Sequence, residues 1–290
     1  MFERLKAFLS FIPRTLIFIQ NHFKAVVFVT IVLALILPSE EDKLKEANLV
    51  RLDISGPIMS ADEFLNQIEH IEKSPHIKGV LLYVDSPGGA VAPSVEMSMA
   101  VKRLKEKLPV VTYAAGTMAS GSLYAAAYSP IIIANPGSVV GSIGVIFEGA
   151  NVEGLMNKLG IKTQVAKMGT FKESGTPFRE WNPQERAELE RVLGQTYTMF
   201  VNDVAKGRKL DPKKANEFAD AHIFTAQEAL SHGLIDRLGS LHDAQEELKK
   251  RAKVSDAVWE EKSKFDKMME RFTQETVTKI FSTMFGLKAL

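Results

Sequence analysis

Between Asn48 and Ala134 the chain alternates short apolar runs with amphipathic stretches, joined by brief connections. Asn48–Ser55 reads as a strand with alternating apolar residues, closed by Gly56-Pro57. Ser60–Ser74 puts Phe64, Leu65, Ile68 and Ile71 on one helical face. Ile77–Val84 is mostly apolar, the pattern of a strand buried on both sides. Val91–Leu104 then reads as a helix, Val110–Tyr113 as a third strand and Ile131–Ala134 as a fourth. Strands and helices that alternate with short links fold into a parallel sheet layered with helices, so the fold class is α/β.

The two ends of the chain differ from this middle. Arg4, Lys6, Arg14 and Lys24 are basic, and no acid follows Glu3 until Glu40. Ala25–Leu37 is apolar apart from Thr30, and a helix from about Leu16 to Leu37 is long enough to cross a bilayer with Lys24 snorkelling. The long basic prelude and the lack of a small-x-small cleavage site favour a retained anchor over a cleaved signal. The basic flank predicts the amino terminus inside and everything after Pro38 outside. From Asn182 the character is helical. Asn182-Pro-Gln-Glu185 opens a helix reaching about Gly207, with proline in its first turn. Asp211–Asp220 and Thr225–His232 read as further helices, the second with a capping box at Thr225-Ala-Gln-Glu228. Gly233–Asp236 reads as a helix end passing into a short strand, and Phe265–Phe285 as a helical core or oligomer contact.

Composition removes several chemistries. The absence of cysteine excludes disulfides, thiol nucleophiles and thiolate metal sites. A net charge of +1 gives no support to nucleic-acid binding. What remains is a serine in an unusual setting. Thr112–Ala127 passes from an apolar strand through small residues around Ser120-Gly121 into an alanine-rich segment. Gly116, Ala119 and Gly121 leave room for a substrate backbone, and free N–H groups at a helix start favour a developing oxyanion. The plainer reading of Ser120 is an N-cap.

A serine nucleophile needs a base. None of His22, His70, His76, His222, His232 and His242 lies in a small-residue setting like that of Ser120, and there is no Gly-x-Ser-x-Gly elbow. Lysine is the other option. Lys167 and Lys172 lie in Val165–Phe178, with Lys172 between Phe171 and a Ser-Gly-Thr-Pro turn. An amine acts as a base only when neutral, a state favoured by desolvation. The plainer reading is a solvated loop lysine. Asp85-Ser-Pro-Gly-Gly89 adds a Gly-Gly pair at the end of a buried strand, where backbone N–H groups can face an oxygen.

Seven segments occur together and in order: Asp85-Ser-Pro-Gly-Gly89, Ala119-Ser-Gly-Ser-Leu-Tyr124, Ala134-Asn-Pro136, Gly141-Ser-Ile-Gly-Val145, Lys158-Leu-Gly-Ile161, Gly169-Thr-Phe-Lys172 and Phe200-Val…Gly207-Arg208. Over roughly residues 48–245 this series resembles the signal peptide peptidase (protease IV) family of serine proteases, in its short single-domain bacterial form. The resemblance implies a crotonase-like (Clp protease-type) fold with a helical C-terminal part, behind one N-terminal transmembrane helix. It implies a Ser/Lys dyad, with Ser120 as nucleophile, Lys172 as general base and Ser142 orienting the lysine. It places the oxyanion hole at the N–H groups of Gly89 and Gly121, with Gly88 shaping the turn. No metal or other cofactor is implied. Ser122 departs from the pattern, which more often has a second glycine there.

The resulting division of the chain is 1–38 as basic segment and anchor, 39–47 as linker, 48–245 as catalytic domain and 246–290 as helical extension. The implied partners are peptides (spent signal peptides and other unfolded or apolar segments), the membrane, and further copies of the chain in a ring-shaped homo-oligomer. The implied location is the bacterial cytoplasmic membrane, with the catalytic domain on its outer side. Two other readings remain at this stage: a crotonase-type acyl-CoA enzyme on the same fold, and a non-catalytic membrane scaffold.

Overall fold

A computed structural model describes residues 20, 22–36 and 46–260. Helix α1 (Phe23–Ile36) has 14 residues. Among the described residues no helix is long and apolar enough to cross a membrane. The expected span Leu16–Leu37 runs past both ends of α1, and the apolar stretch Phe265–Phe285 lies outside the described residues altogether.

Ala47–Trp259 forms one compact unit. Its sheet is laid down by β1 (Leu49–Ser55), α2 (Asp62–Lys73), β2 (Gly79–Ser86), α3 (Val91–Leu104) and β3 (Val110–Ala119). β2 is the apolar run of the sequence. It pairs in parallel with β1 from Leu49↔Gly79 to Ser55↔Asp85, and in parallel with β3 from Val80↔Val110 to Val84↔Ala114. A register shift between Val84 and Ser86 then brings Ser86 opposite Met118.

β3 outlasts its expected end at Tyr113 by several residues, because it changes partner partway along. Thr112–Ala114 pairs with β4 (Ile132–Ala134), and Thr117–Ala119 pairs with β5 (Val139–Gly141). The alanines and glycine between these contacts carry too little apolar bulk for a periodicity signal, so the sequence reads as a loop where the backbone is still paired. After α4 (Gly121–Ala126) and α5 (Glu153–Lys158), the long helix α6 (Pro183–Arg208) begins with the expected proline and a complete Asn182–Glu185 capping box.

The expected helix at Asp211–Asp220 is broken. A 3-10 turn at Pro212–Lys214 is followed by the single turn α7 (Ala215–Phe218), and Asp220 and Ala221 adopt φ of 58° and 56°. That left-handed pair reverses the chain into β6 (Ile223–Thr225), an antiparallel partner of β5 too short to show a period of its own. α8 (Ala226–Ser231) has the expected Thr225–Glu228 capping box. Gly233, at φ 72°, ends the helix as expected, and the short strand that follows is β7 (Arg237–Leu238), starting just past Asp236.

Helices cover both sides of the sheet. On one side Ile68, Val101, Leu123 and Val204 pack in the larger core. On the other, α9 (Leu241–Ala252) seats Ala244 and Leu248 against Leu49, Leu81, Val111 and Ile133. Leu248 is fully buried, and truncating such a leucine to alanine costs about 2–5 kcal/mol. α9 therefore completes the core, and Trp259 closes the unit through a bridge to Leu49.

Candidate active site

Three chain segments converge at the upper end of β3. The first is Asp85-Ser-Pro-Gly-Gly89, and each of four residues has a separate task. Asp85 accepts from the Thr117 N–H at 2.9 Å and so fixes β3 where the register shifts. Ser86, fully buried, donates to the Gly56 carbonyl at 2.6 Å and accepts from the Gly88 N–H at 3.1 Å. Gly88 takes φ of 91°, and a Cβ there would stand 2.5 Å from the Gly121 nitrogen and 2.9 Å from Ser120 Cβ. Glycine is thus required both for the turn and for the close approach. The Gly89 N–H donates to no acceptor among the described residues.

The second segment is the end of β3 and the start of α4. Ser120 has φ 52° and ψ −122°, a sparsely populated conformation for a residue with a side chain. Such backbone costs on the order of 1–3 kcal/mol and persists only where the surroundings hold it. Here the Ser120 N–H donates to the Gly141 carbonyl at 2.8 Å, and its carbonyl accepts from Tyr124 N–H at 3.0 Å. Its hydroxyl caps no helix N–H, so the N-cap reading does not describe its role. The next N–H, that of Gly121, is likewise without an acceptor among the described residues. A Cβ on Gly121 would meet Ser94 Oγ at 2.2 Å and the Gly89 nitrogen at 3.3 Å. The two open N–H groups therefore share one small concavity next to the Ser120 side chain.

Ser122 points away from this concavity. It is fully buried, donates to the Ser86 carbonyl at 2.7 Å and accepts from the Ala119 N–H at 2.9 Å. The departure from glycine thus ties the first segment to the second and leaves the open face clear.

The third segment is Gly141-Ser142. Gly141 lies opposite Ala119 in the β3–β5 ladder, which puts Ser142 beside the Ser120 turn. Ser142 has φ 51°, and its N–H donates to the His222 carbonyl at 2.6 Å. Gly141 has no room for a side chain, since a Cβ would stand 2.5 Å from that same carbonyl.

Lys172 is not part of this assembly within one chain. It is exposed and absent from the pocket lining, and its amine has no hydrogen-bond or ion-pair partner among the described residues. The pocket beside Ser120 is walled by Val95, Tyr124, Val145, Thr196, Met199 and Phe200. Sequence reasoning overlooked most of this wall. Tyr124 was within reach, standing four residues after Ser120 on a helix. Its ring packs on Phe200 at 4.7 Å, and its hydroxyl donates to Asp203, which also accepts from Tyr128 at 3.1 Å. Burial, and then the Asp203 carboxylate, push the Tyr128 hydroxyl up to about 12; Tyr124 is raised further, by burial and then by its hydrogen bond to Asp203. Ser94 and Met199 carry no local signal and meet the site only through packing.

A serine on a strained strand-to-helix turn, beside two open N–H groups on an α/β sheet, is the arrangement of a serine peptidase of the Clp protease-like class. Residues 42–135 match the Clp protease family and residues 102–255 match Peptidase family S49. The chain belongs to peptidase family S49, of the signal peptide peptidase type. It is 40% identical over 200 residues to a Synechocystis sp. protein named as a protease, covering 68% of this chain and 72% of that one. It is 34% identical over 231 residues to an Enterococcus faecium protein named as a signal peptide peptidase, SppA, covering 75% and 67%. Against Protease 4 of Salmonella typhi the identity is 27% over 221 residues, covering 74% of this chain and 35% of the longer relative.

Proposed function

We infer that this peptidase is a membrane-anchored endopeptidase with Ser120 as nucleophile and Lys172 as general base, acting on spent signal peptides and other unfolded or apolar segments. The observation that carries the reading is the strained Ser120 turn facing the open Gly89 and Gly121 N–H groups. Ser120 Oγ adds to the peptide carbonyl as its proton passes to a neutral lysine amine. The two N–H groups receive the oxyanion, a contribution that commonly amounts to about 3–4 kcal/mol per donor. The lysine then returns the proton to the leaving amine, and water enters by the same route in reverse. The apolar pocket wall suits an apolar acyl-side residue, and the basic, then apolar, amino-terminal sequence suits an anchor that holds the enzyme where such segments accumulate.

The base comes from a neighbouring copy in a ring-shaped oligomer. Two features favour this arrangement: the exposed amine of Lys172, without a partner among the described residues, and the apolar surface around it. Met168 is 92% exposed and Ile146 80%, with Leu159 and Phe171 also open to solvent. Exposed apolar surface concentrated in one segment marks an interface. The test is labelling with a serine-directed fluorophosphonate on the full-length protein in detergent. Labelling should be lost in Ser120→Ala; a folded Ser120→Ala protein that still labels and still cleaves peptide would remove Ser120 from the mechanism.

A further inference from the structure

Lys172 lies in a stretch with no regular secondary structure. Successive turns carry it: the Lys172 N–H donates to Gly169 O at 3.3 Å, Ser174 N–H to Phe171 O at 3.1 Å, and Thr176 N–H to Glu173 O at 3.0 Å. Turns of this kind do not fix the direction of a loop, so whatever aims Lys172 must come from elsewhere. The next residue supplies it. Glu173 Oε2 accepts from Lys167 Nζ at 2.9 Å and from Arg179 Nη2 at 2.9 Å. The first contact closes the loop 168–172 across its base. The second ties that closure to α6, because the same guanidinium grips Glu185 with both terminal nitrogens, at 2.8 and 2.7 Å.

Glu185 is the fixed point. Its side chain is 1% exposed, and it also accepts from the Asn182 N–H at 3.0 Å as part of the helix cap. A planar guanidinium held at two oxygens has little freedom to rotate, which makes Arg179 a rigid strut between helix and loop. The cluster contains two carboxylates and two cations, so it is self-neutral. Lys172, one residue from Glu173, is left outside it.

We propose that Glu173, clamped between Lys167 and Arg179, is a positioning residue that sets where the Lys172 amine is presented. The proposal rests on the reading of Lys172 as general base. Loss of the Glu173 charge leaves the Arg179 grip on buried Glu185 in place and frees two cations that are each about a third exposed, so it should cost the fold little. The clamp should therefore show its effect in the chemical step rather than in the fold, since misplacing a reacting group by an ångström can cost about 100-fold in rate.

The experiment uses full-length enzyme in detergent with a fluorogenic peptide. Glu173→Gln keeps the shape and removes the charge that both cations grip. We expect kcat to fall by roughly 10- to 100-fold with KM within about twofold, and the thermal midpoint to stay within about 2–4 °C. Glu173→Asp should recover part of the loss, and Lys167→Met should reproduce part of it from the other side of the loop. Unchanged kcat in Glu173→Gln overturns the proposal, as does a rise in KM alone, which would mark a substrate contact. A large drop in thermal midpoint in both Glu173→Gln and Lys167→Met would also overturn it, in favour of a structural role. Lys172→Ala, measured alongside, separates the two levels. If it retains activity the base assignment itself falls, whereas a dead Lys172→Ala beside a fully active Glu173→Gln removes only the clamp.

Discussion

On the proposed reading the Ser120 turn and the Lys172 loop serve one reaction, yet the two regions are built differently. Ser120 lies among buried neighbours, with Met118, Ala119, Gly121 and Ser122 all inside and a strained backbone held from three segments. The Lys172 segment has no strand and no core. It exposes Met168, Leu159 and Phe171, and its order comes from turns and ion pairs. Strain of the kind seen at Ser120 survives only where packing over-determines it, so that half must be completed within one chain. An amine that is to act as a base needs shelter from water, and here one chain alone leaves Lys172 in solvent. A second copy that covers the apolar segment would shelter it and carry it to Ser120 in one step.

The largest expected effect breaks or confirms that division directly. Ser120→Ala and Lys172→Ala should each lower kcat by about 10⁴-fold or more. Co-expressed as verified mixed oligomers, the two inactive chains should regain a measurable share of peptide hydrolysis, because some interfaces then hold both intact residues. Mixed oligomers without any activity would put the dyad within one chain. An active monomer would dispose of the ring as well.

A second prediction sharpens the packed half. In Gly121→Ala the new Cβ would collide with Ser94 Oγ, 2.2 Å away, and displace one of the two open N–H groups. The expected loss in kcat is roughly 10²- to 10³-fold, the scale of one oxyanion donor. Removing the obstruction with Ser94→Gly in the same chain should restore part of the rate. If the double variant is no better than Gly121→Ala, the collision is not the cause.

The smallest expected effect concerns pH, where the two halves should fail at opposite ends. The hydrogen bonds from Arg179, helped by that from the Asn182 N–H, hold the Glu185 carboxyl at about 2, below its ordinary 4.5. A depressed carboxyl stabilises the fold above its unfolded value and loses that contribution as pH falls from about 4.5 to 2. On the other side, the Tyr128 hydroxyl, raised from 10 to about 12, favours the fold up to pH 10 and loses its contribution between 10 and 12. Thermal midpoints measured against pH should show both flanks. Arg179→Met should flatten the acid flank, and Asp203→Asn should weaken the alkaline one only in part, because burial is the larger cause there. An Arg179→Met protein with an unchanged acid flank would count against the Glu185 anchor.

Much of this molecule was written locally. The alternation from Asn48 to Ala134 fixes a parallel layered sheet because each run is long enough to declare its period. The helix start at Asn182-Pro183 and the capping box at Thr225 were legible for the same reason: each signal lies within a few residues along the chain. Asp85-Ser-Pro-Gly-Gly89 and Ser120 could be singled out by residue type and setting, whereas the choice of Lys172 over Lys167 and the role of Ser142 came only from the family resemblance. What the sequence could not decide was distance. That Gly89 and Gly121 leave their N–H groups open on one concavity, that Ser94 bars any side chain there, and that Arg179 joins Glu173 to Glu185 all depend on segments brought together by the sheet. So does the length of β3, whose small residues hide their pairing until β5 lies beside them. Local signals report what a residue does with its neighbours along the chain. A site is made of neighbours across it, and those are settled only when the two faces of the sheet have been buried.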